Sequence, residues 1–137
     1  MSSIKLINPE SLRVPTKAYS NGLLLPLGVA DLMFVTGQLS QDAEGNVVYP
    51  NNAEGQAKII FDRISAILSE AGMSLDNVVK AQIFVTNIAD APAVSKVRNE
   101  VFNVSRPVST LVEVNALDKD ECCVEIEVIA ARMNTNA

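Results

Sequence analysis

Histidine and tryptophan are absent from this chain, and cysteine occurs only at Cys122 and Cys123. Without histidine, Ser-His and Cys-His nucleophilic catalysis are excluded, and two thiols leave too few nitrogen and sulfur ligands for an ordinary zinc site. No metal and no cofactor are expected, so proton transfer must fall to carboxylates, tyrosine, lysine, thiols, backbone or water. Adjacent cysteines on a strand point to opposite faces, so a bond between them would be strained. They read as reduced packing residues.

Clusters of Lys and Arg are lacking too. With a net charge of −5, the chain carries no electrostatic footprint for nucleic acid or an anionic membrane. The longest apolar stretch, Gly22 to Val29, is far short of the ~20 residues of a spanning helix, and Met1-Ser2-Ser3-Ile4-Lys5 lacks the apolar run of a secretion signal. A soluble cytoplasmic protein is expected. No internal repeat and no Gly/Ser-rich linker divides the sequence, which predicts one domain over residues 1–137, with Asn134 to Ala137 as a frayed tail. What the chain has in plenty is apolar surface: 48% hydrophobic against 20% charged residues. That excludes disorder and, on a small domain, points to an interface between subunits.

Periodicity then places the elements. Leu23-Leu24-Leu25 and Leu32-Met33-Phe34-Val35 read as strands, and a short third strand, Asn46-Val47-Val48-Tyr49, follows the turn signal Asp42-Ala43-Glu44-Gly45. Asn51 and Glu54 make a capping-box pattern, after which Ile60, Ile64, Ile67 and Ala71 fall at helical spacing until Gly72. Val78 to Thr86 is apolar on both parities, as in a strand covered on both sides. Pro92 suits a first helical turn, and Val94, Val97, Val101 and Phe102 continue a shorter amphipathic helix to near Asn103. Strands over Ser109–Val114 and Cys122–Ala131 complete a β-β-β-α-β-α-β-β order. This predicts an α+β fold: a mixed six-stranded sheet with two helices on one face. A second copy of the chain is the simplest cover for the other face.

Three segments carry a resemblance: Phe34-Val35-Thr36-Gly37-Gln38, Ala71-Gly72-Met73-Ser74-Leu75-Asp76-Asn77-Val78-Val79-Lys80, and Val124-Glu125-Ile126-Glu127-Val128-Ile129-Ala130. In that order and spacing, from about Tyr19 to Ala131, the chain resembles the Rid (YjgF/YER057c/UK114) family. The resemblance implies a chorismate-mutase-like homotrimer with small-molecule clefts between subunits. In deaminating members an arginine grips the substrate carboxylate and a glutamate positions water for attack on an imine carbon. Carried over, Tyr19 matches the pocket tyrosine, Gly37 a backbone contact, and Glu125 the water-positioning glutamate. Ser109, in Pro107-Val108-Ser109-Thr110-Leu111, stands where the arginine is expected, and Ala89 where a pocket asparagine is expected.

Each candidate also has a reading without ligand. Ser109 and Thr110 are either ligand donors or hydroxyls serving local backbone at a strand start. Arg106 either swings in for the missing arginine or is a solvated loop cation. Alternation places Glu125 and Glu127 on one face, which is either solvated or, if it lines a cleft, raises the pKa of one carboxyl. Tyr19 is a lid or a packed ring, and Gly37 serves its turn in either case. Two functions therefore compete: a hydrolase acting on a small imine or enamine through Glu125, or a non-catalytic trimer binding a metabolite or protein partner.

Overall fold

Residues 3–135 are described by a computed structural model. β1 (Lys5–Ile7), β2 (Gly22–Pro26) and β3 (Ala30–Gln38) form an antiparallel meander at one edge of a six-stranded sheet. β6 (Val124–Met133) runs antiparallel between β3 and β4 (Val78–Val85), and β5 (Val108–Glu113) lies parallel to β4 at the far edge. The parallel pair requires a crossover, which α2 (Ala91–Val101) supplies.

Both helices lie on one face. In α1 (Ala53–Ser69) the residues Ile60, Phe61, Ile64, Ile67 and Leu68 recur at three- and four-residue spacing and are all buried, the stripe that an amphipathic helix turns to a core. Opposite them, period-two alternation buries Met33, Val35, Ala81, Ile83, Ile126 and Val128. Phe61 meets Phe102 edge-on with centroids 5.2 Å apart, joining α1 to the end of α2. The alternate residues, among them Phe34, Phe84, Gln82, Glu125 and Glu127, face away from both helices. Within the chain that face is uncovered: Phe34 is 38% exposed and Val108 is 71% exposed.

Several details differ from the sequence reading. The strand expected at Asn46–Tyr49 is only an isolated bridge between Gln41 and Val47, because Asp42 Oδ1 closes a tight turn by accepting from the N–H groups of Glu44 and Asn46. The sixth strand is instead β1, three residues long. Asn52, not Asn51, caps α1: its Oδ1 accepts from Gly55 N–H at 2.9 Å, while Asn51 takes a left-handed φ of 59°. Asn52→Ala should cost about 1 kcal/mol, read as a lower urea midpoint with an unchanged slope. β6 begins at Val124, just past the two cysteines. Both are free thiols, Cys122 buried and Cys123 half-buried, and burial pushes both pKa values up. Asn134 is not frayed: its amide donates to Gly28 O at 2.8 Å and its N–H to Val29 O at 2.9 Å, tying the chain end to the β2–β3 turn. Asn136 and Ala137 lie outside the described residues.

Candidate functional site

Glu125 sits near the start of β6 on the face away from the helices, paired with Phe84 of β4. Its environment is set by the adjoining strand. The β3–β6 register shifts between Val35 and Gln38, and this irregularity brings the backbone of Gly37 directly under the Glu125 side chain. A Cβ built at Gly37 would lie 2.9 Å from the Glu125 carboxyl carbon and closer still to Oε2, so only glycine lets strand and carboxylate approach so nearly. Burial pushes the Glu125 pKa up, and the carboxylates of Glu127 and Asp118 add to the rise. A half-buried acid with a raised pKa is equipped to exchange a proton with a molecule bound beside it.

Glu127 lies on the same face but is exposed, with Gln82 as its strand neighbour and Thr110 beyond it. Gln82 Nε2 donates to Thr110 O at 3.2 Å. Tyr19 is 57% exposed and stands between two hollows. The larger, about 730 Å³, runs across Leu23, Phe34, Thr36 and Glu127. The other, about 440 Å³, opens toward Arg63 and Asp118.

Ser109 is placed differently. It pairs with fully buried Ala81 and so lies on the helix side of the sheet, where it lines a hollow of about 370 Å³ with Arg98, Phe102, Arg106 and Pro107. From Glu125 it is three rungs along and two strands across, roughly 14 Å, and on the opposite face. Arg106 is exposed with a left-handed φ of 47°; its Nε donates to Asn103 O at 3.3 Å and its N–H to Phe102 O at 3.0 Å. Ala89 is exposed on the short turn Ile88–Asp90, its N–H donated to Asn87 Oδ1. The chain thus unites Glu125 with Gly37, and Tyr19 with Glu127, while Ser109 faces elsewhere.

Two further residues escaped the sequence reading. Arg63 of α1 donates from Nε to Gln38 Oε1 at 3.1 Å and from a terminal nitrogen to Gln41 O at 2.9 Å, and burial pushes its pKa down. Asn21, 4% exposed, keeps a buried Nδ2 with no acceptor. A signal existed for Arg63, which lies three residues after Ile60 and four before Ile67, at the margin of the buried stripe. Among the described residues, no group of three Cys, Asp or Glu could hold a metal ion, and no helix is long and apolar enough to cross a membrane.

The sequence profile described as Endoribonuclease L-PSP matches residues 11–132. The 3-aminoacrylate deaminase RutC of Acinetobacter baylyi is 34% identical over 127 residues, covering 92% of this chain and 96% of that protein. The crystal structure of YyfA from Yersinia pestis, described as a Rid family protein of unknown function, superposes with a TM-score of 0.83 at 30% identity, covering 93% of this chain and 98% of the other. The structure of Escherichia coli TdcF with bound serine gives a TM-score of 0.80 at 27% identity, with the same coverages of 93% and 98%.

Proposed function

We propose, from the premise that this chain belongs to the Endoribonuclease L-PSP, or Rid, family, that it is a divergent deaminase of small imines or enamines working in clefts between the protomers of a homotrimer. The observation that carries the reading is the half-buried Glu125 carboxyl, set over Gly37 with its pKa raised. Such a group takes a proton from water as the water oxygen bonds to the imine carbon. The nitrogen then takes up protons, its bond to carbon breaks, and a carbonyl compound and ammonia leave.

A shared cleft is supported by the uncovered sheet face and by the placement of Ser109. The roughly 14 Å and the sheet itself that separate Ser109 from Glu125 within a protomer let the two meet only where one subunit's β5 edge abuts another's open face. Tyr19, Gly37, Ala89, Ser109 and Thr110 are the ligand-binding residues in this reading, and Glu125 the catalytic one.

Serine at position 109 offers one neutral hydrogen bond where a guanidinium would offer a bidentate, charged grip. Losing a charge-assisted bond costs about 1.5–3 kcal/mol, or roughly ten- to a hundredfold in affinity for a carboxylate. The Acinetobacter relative supplies the probe, since 3-aminoacrylate is an enamine that carries a carboxylate. The purified chain is expected to speed ammonia release from 3-aminoacrylate, and Ser109→Arg to raise kcat/KM by about ten- to a hundredfold. No acceleration by either protein would remove the deaminase reading and leave a non-catalytic binding trimer in its place.

A further inference from the structure

Behind Tyr19, between the segment leading into β2 and the flank of α1, the hollow of about 440 Å³ is lined by Arg13, Lys17, Asn21, Arg63, Asp118 and Lys119 among others. Four of these six are cations and one is an acid, in a chain whose net charge is −5. The concentration of positive charge is therefore local and runs against the composition.

Charge alone would describe a solvated rim, but two side chains here hold donors without a partner in the protein, one of them buried. Asn21 is 4% exposed, its N–H donates to Asn8 Oδ1 and its carbonyl accepts from Thr36 N–H, yet the buried Nδ2 has nothing to donate to. Buried amides without partners are rare enough in folded chains that each calls for an explanation. Arg63 is the second case. Its two hydrogen bonds go to neutral oxygens, the Gln38 amide and the Gln41 carbonyl, and one terminal nitrogen keeps both protons free. The salt bridges among the described residues are Lys58–Glu54, Lys96–Glu54 and Arg132–Asp31, so no carboxylate neutralises Arg63. A guanidinium does not shed its proton to escape burial. Half-buried and unpaired with any carboxylate among the described residues, the charge is free to meet an acceptor from outside the chain.

We infer that this hollow binds a small oxyanion, the carboxylate or phosphate group of a free metabolite, held by Arg63 and the Asn21 amide with Lys17 and Lys119 at the rim. Arg63 is fixed for the task from both sides, by the helix that carries it and by its bonds to the end of β3 and the loop after it. The volume suits a compact metabolite, and a recessed hollow lacks the continuous basic track that a nucleic-acid backbone requires. Because Tyr19 also walls the hollow over Phe34 and Glu127, an occupant would border that second hollow too.

Binding can be read without turnover, so this inference stands or falls apart from the deaminase reading. The full chain would be titrated with inorganic phosphate and, separately, with succinate, by calorimetry in a chloride-poor buffer. Saturable binding of at least one probe is expected, weakening as NaCl is added. Saturation by phosphate alone, or by succinate alone, assigns the group and supports the site. Arg63→Met should weaken binding by about tenfold or more, and Lys17→Ala, a change at an exposed side chain that leaves the fold intact, by roughly three- to tenfold. Absence of saturable binding by both probes would overturn the inference, as would Lys17→Ala and a folded Arg63→Met that both bind as tightly as the unsubstituted chain.

Discussion

Replacing Gln56 with leucine should lower stability by about 3–5 kcal/mol, although the two side chains are close in size and no cavity opens. Gln56 is completely buried on α1. Its Oε1 accepts from Cys123 N–H at 2.7 Å, and its Nε2 donates to Tyr49 O at 2.9 Å and Glu121 O at 2.8 Å. The two carbonyls keep second donors, the N–H groups of Asn52 and Asn51, so each loses about 1 kcal/mol of net bonding rather than its only partner. The Cys123 N–H is left with nothing. An orphaned buried donor costs about 1–3 kcal/mol, which brings the sum to the stated range. The same amide also anchors Tyr49 and the turn containing Asn51, at φ of 54° and 59°, a backbone region that non-glycine residues enter at a cost and keep only when surrounding bonds hold them. Urea denaturation should show a lower midpoint with an unchanged slope, and thermal unfolding a Tm lower by roughly 10–20 °C. A variant within 1 kcal/mol of the parent would mean that water, not Gln56, satisfies this junction. Because Glu121 and Cys123 lead directly into β6, the clamp also fixes where Glu125 begins its strand.

That clamp shows why some of the fold was legible in the sequence and some was not. Ile60, Ile64 and Ile67 announce α1 because a helix needs one buried stripe and the spacing supplies it. Both central strands declare themselves, β4 through β-branched and apolar residues on both parities and β6 through alternation of apolar residues with Glu125 and Glu127. Local pattern fails where tertiary bonds choose between near-equals. Asn51 and Asn52 are both competent caps, and Glu54 favours the first, but the Gln56 contacts hold the Asn51 turn in a left-handed conformation and hand the cap to Asn52. β1 is three residues long, too short for any period to emerge, and exists because Lys5 to Ile7 can pair with an edge that β2 offers. At the site, alternation put Glu125 and Glu127 on one face, but it cannot say which is shielded. The register shift over Gly37 decides that, and a bulge has no signature in composition. For Arg63 the only local signal is its place at the margin of the α1 stripe, and its bonds to Gln38 and Gln41 are tertiary choices that no period reveals.

Glu125→Gln is the change that should separate chemistry from stability, moving the two in opposite directions. Glutamine keeps the size and the hydrogen-bonding shape but can neither accept the proton of an attacking water nor bear the charge that burial penalises. Ammonia release should fall by about 10²–10⁴-fold. Stability should rise. The folded pKa of Glu125 lies above its ordinary 4.5, so between the two values the native state binds more protons than the unfolded chain, and unfolding free energy decreases as pH increases through that window. The unsubstituted protein is therefore penalised above the raised pKa and relieved of the penalty once pH drops below about 4.5. A glutamine variant has no such dependence: its Tm advantage should be present at pH 7 and vanish in acid. Activity of the parent should run the other way, dying as Glu125 takes up its proton over the same interval. Measured as paired pH series of Tm and kcat/KM, the rate should be half lost at the pH where stability begins to climb, the raised pKa of the folded state, and the climb should level off near 4.5. A rate lost at a pH away from the onset of that climb would show that the acid governing turnover is a different group. A glutamine variant that turns over at the parental rate would end the role assigned to Glu125, whatever its stability.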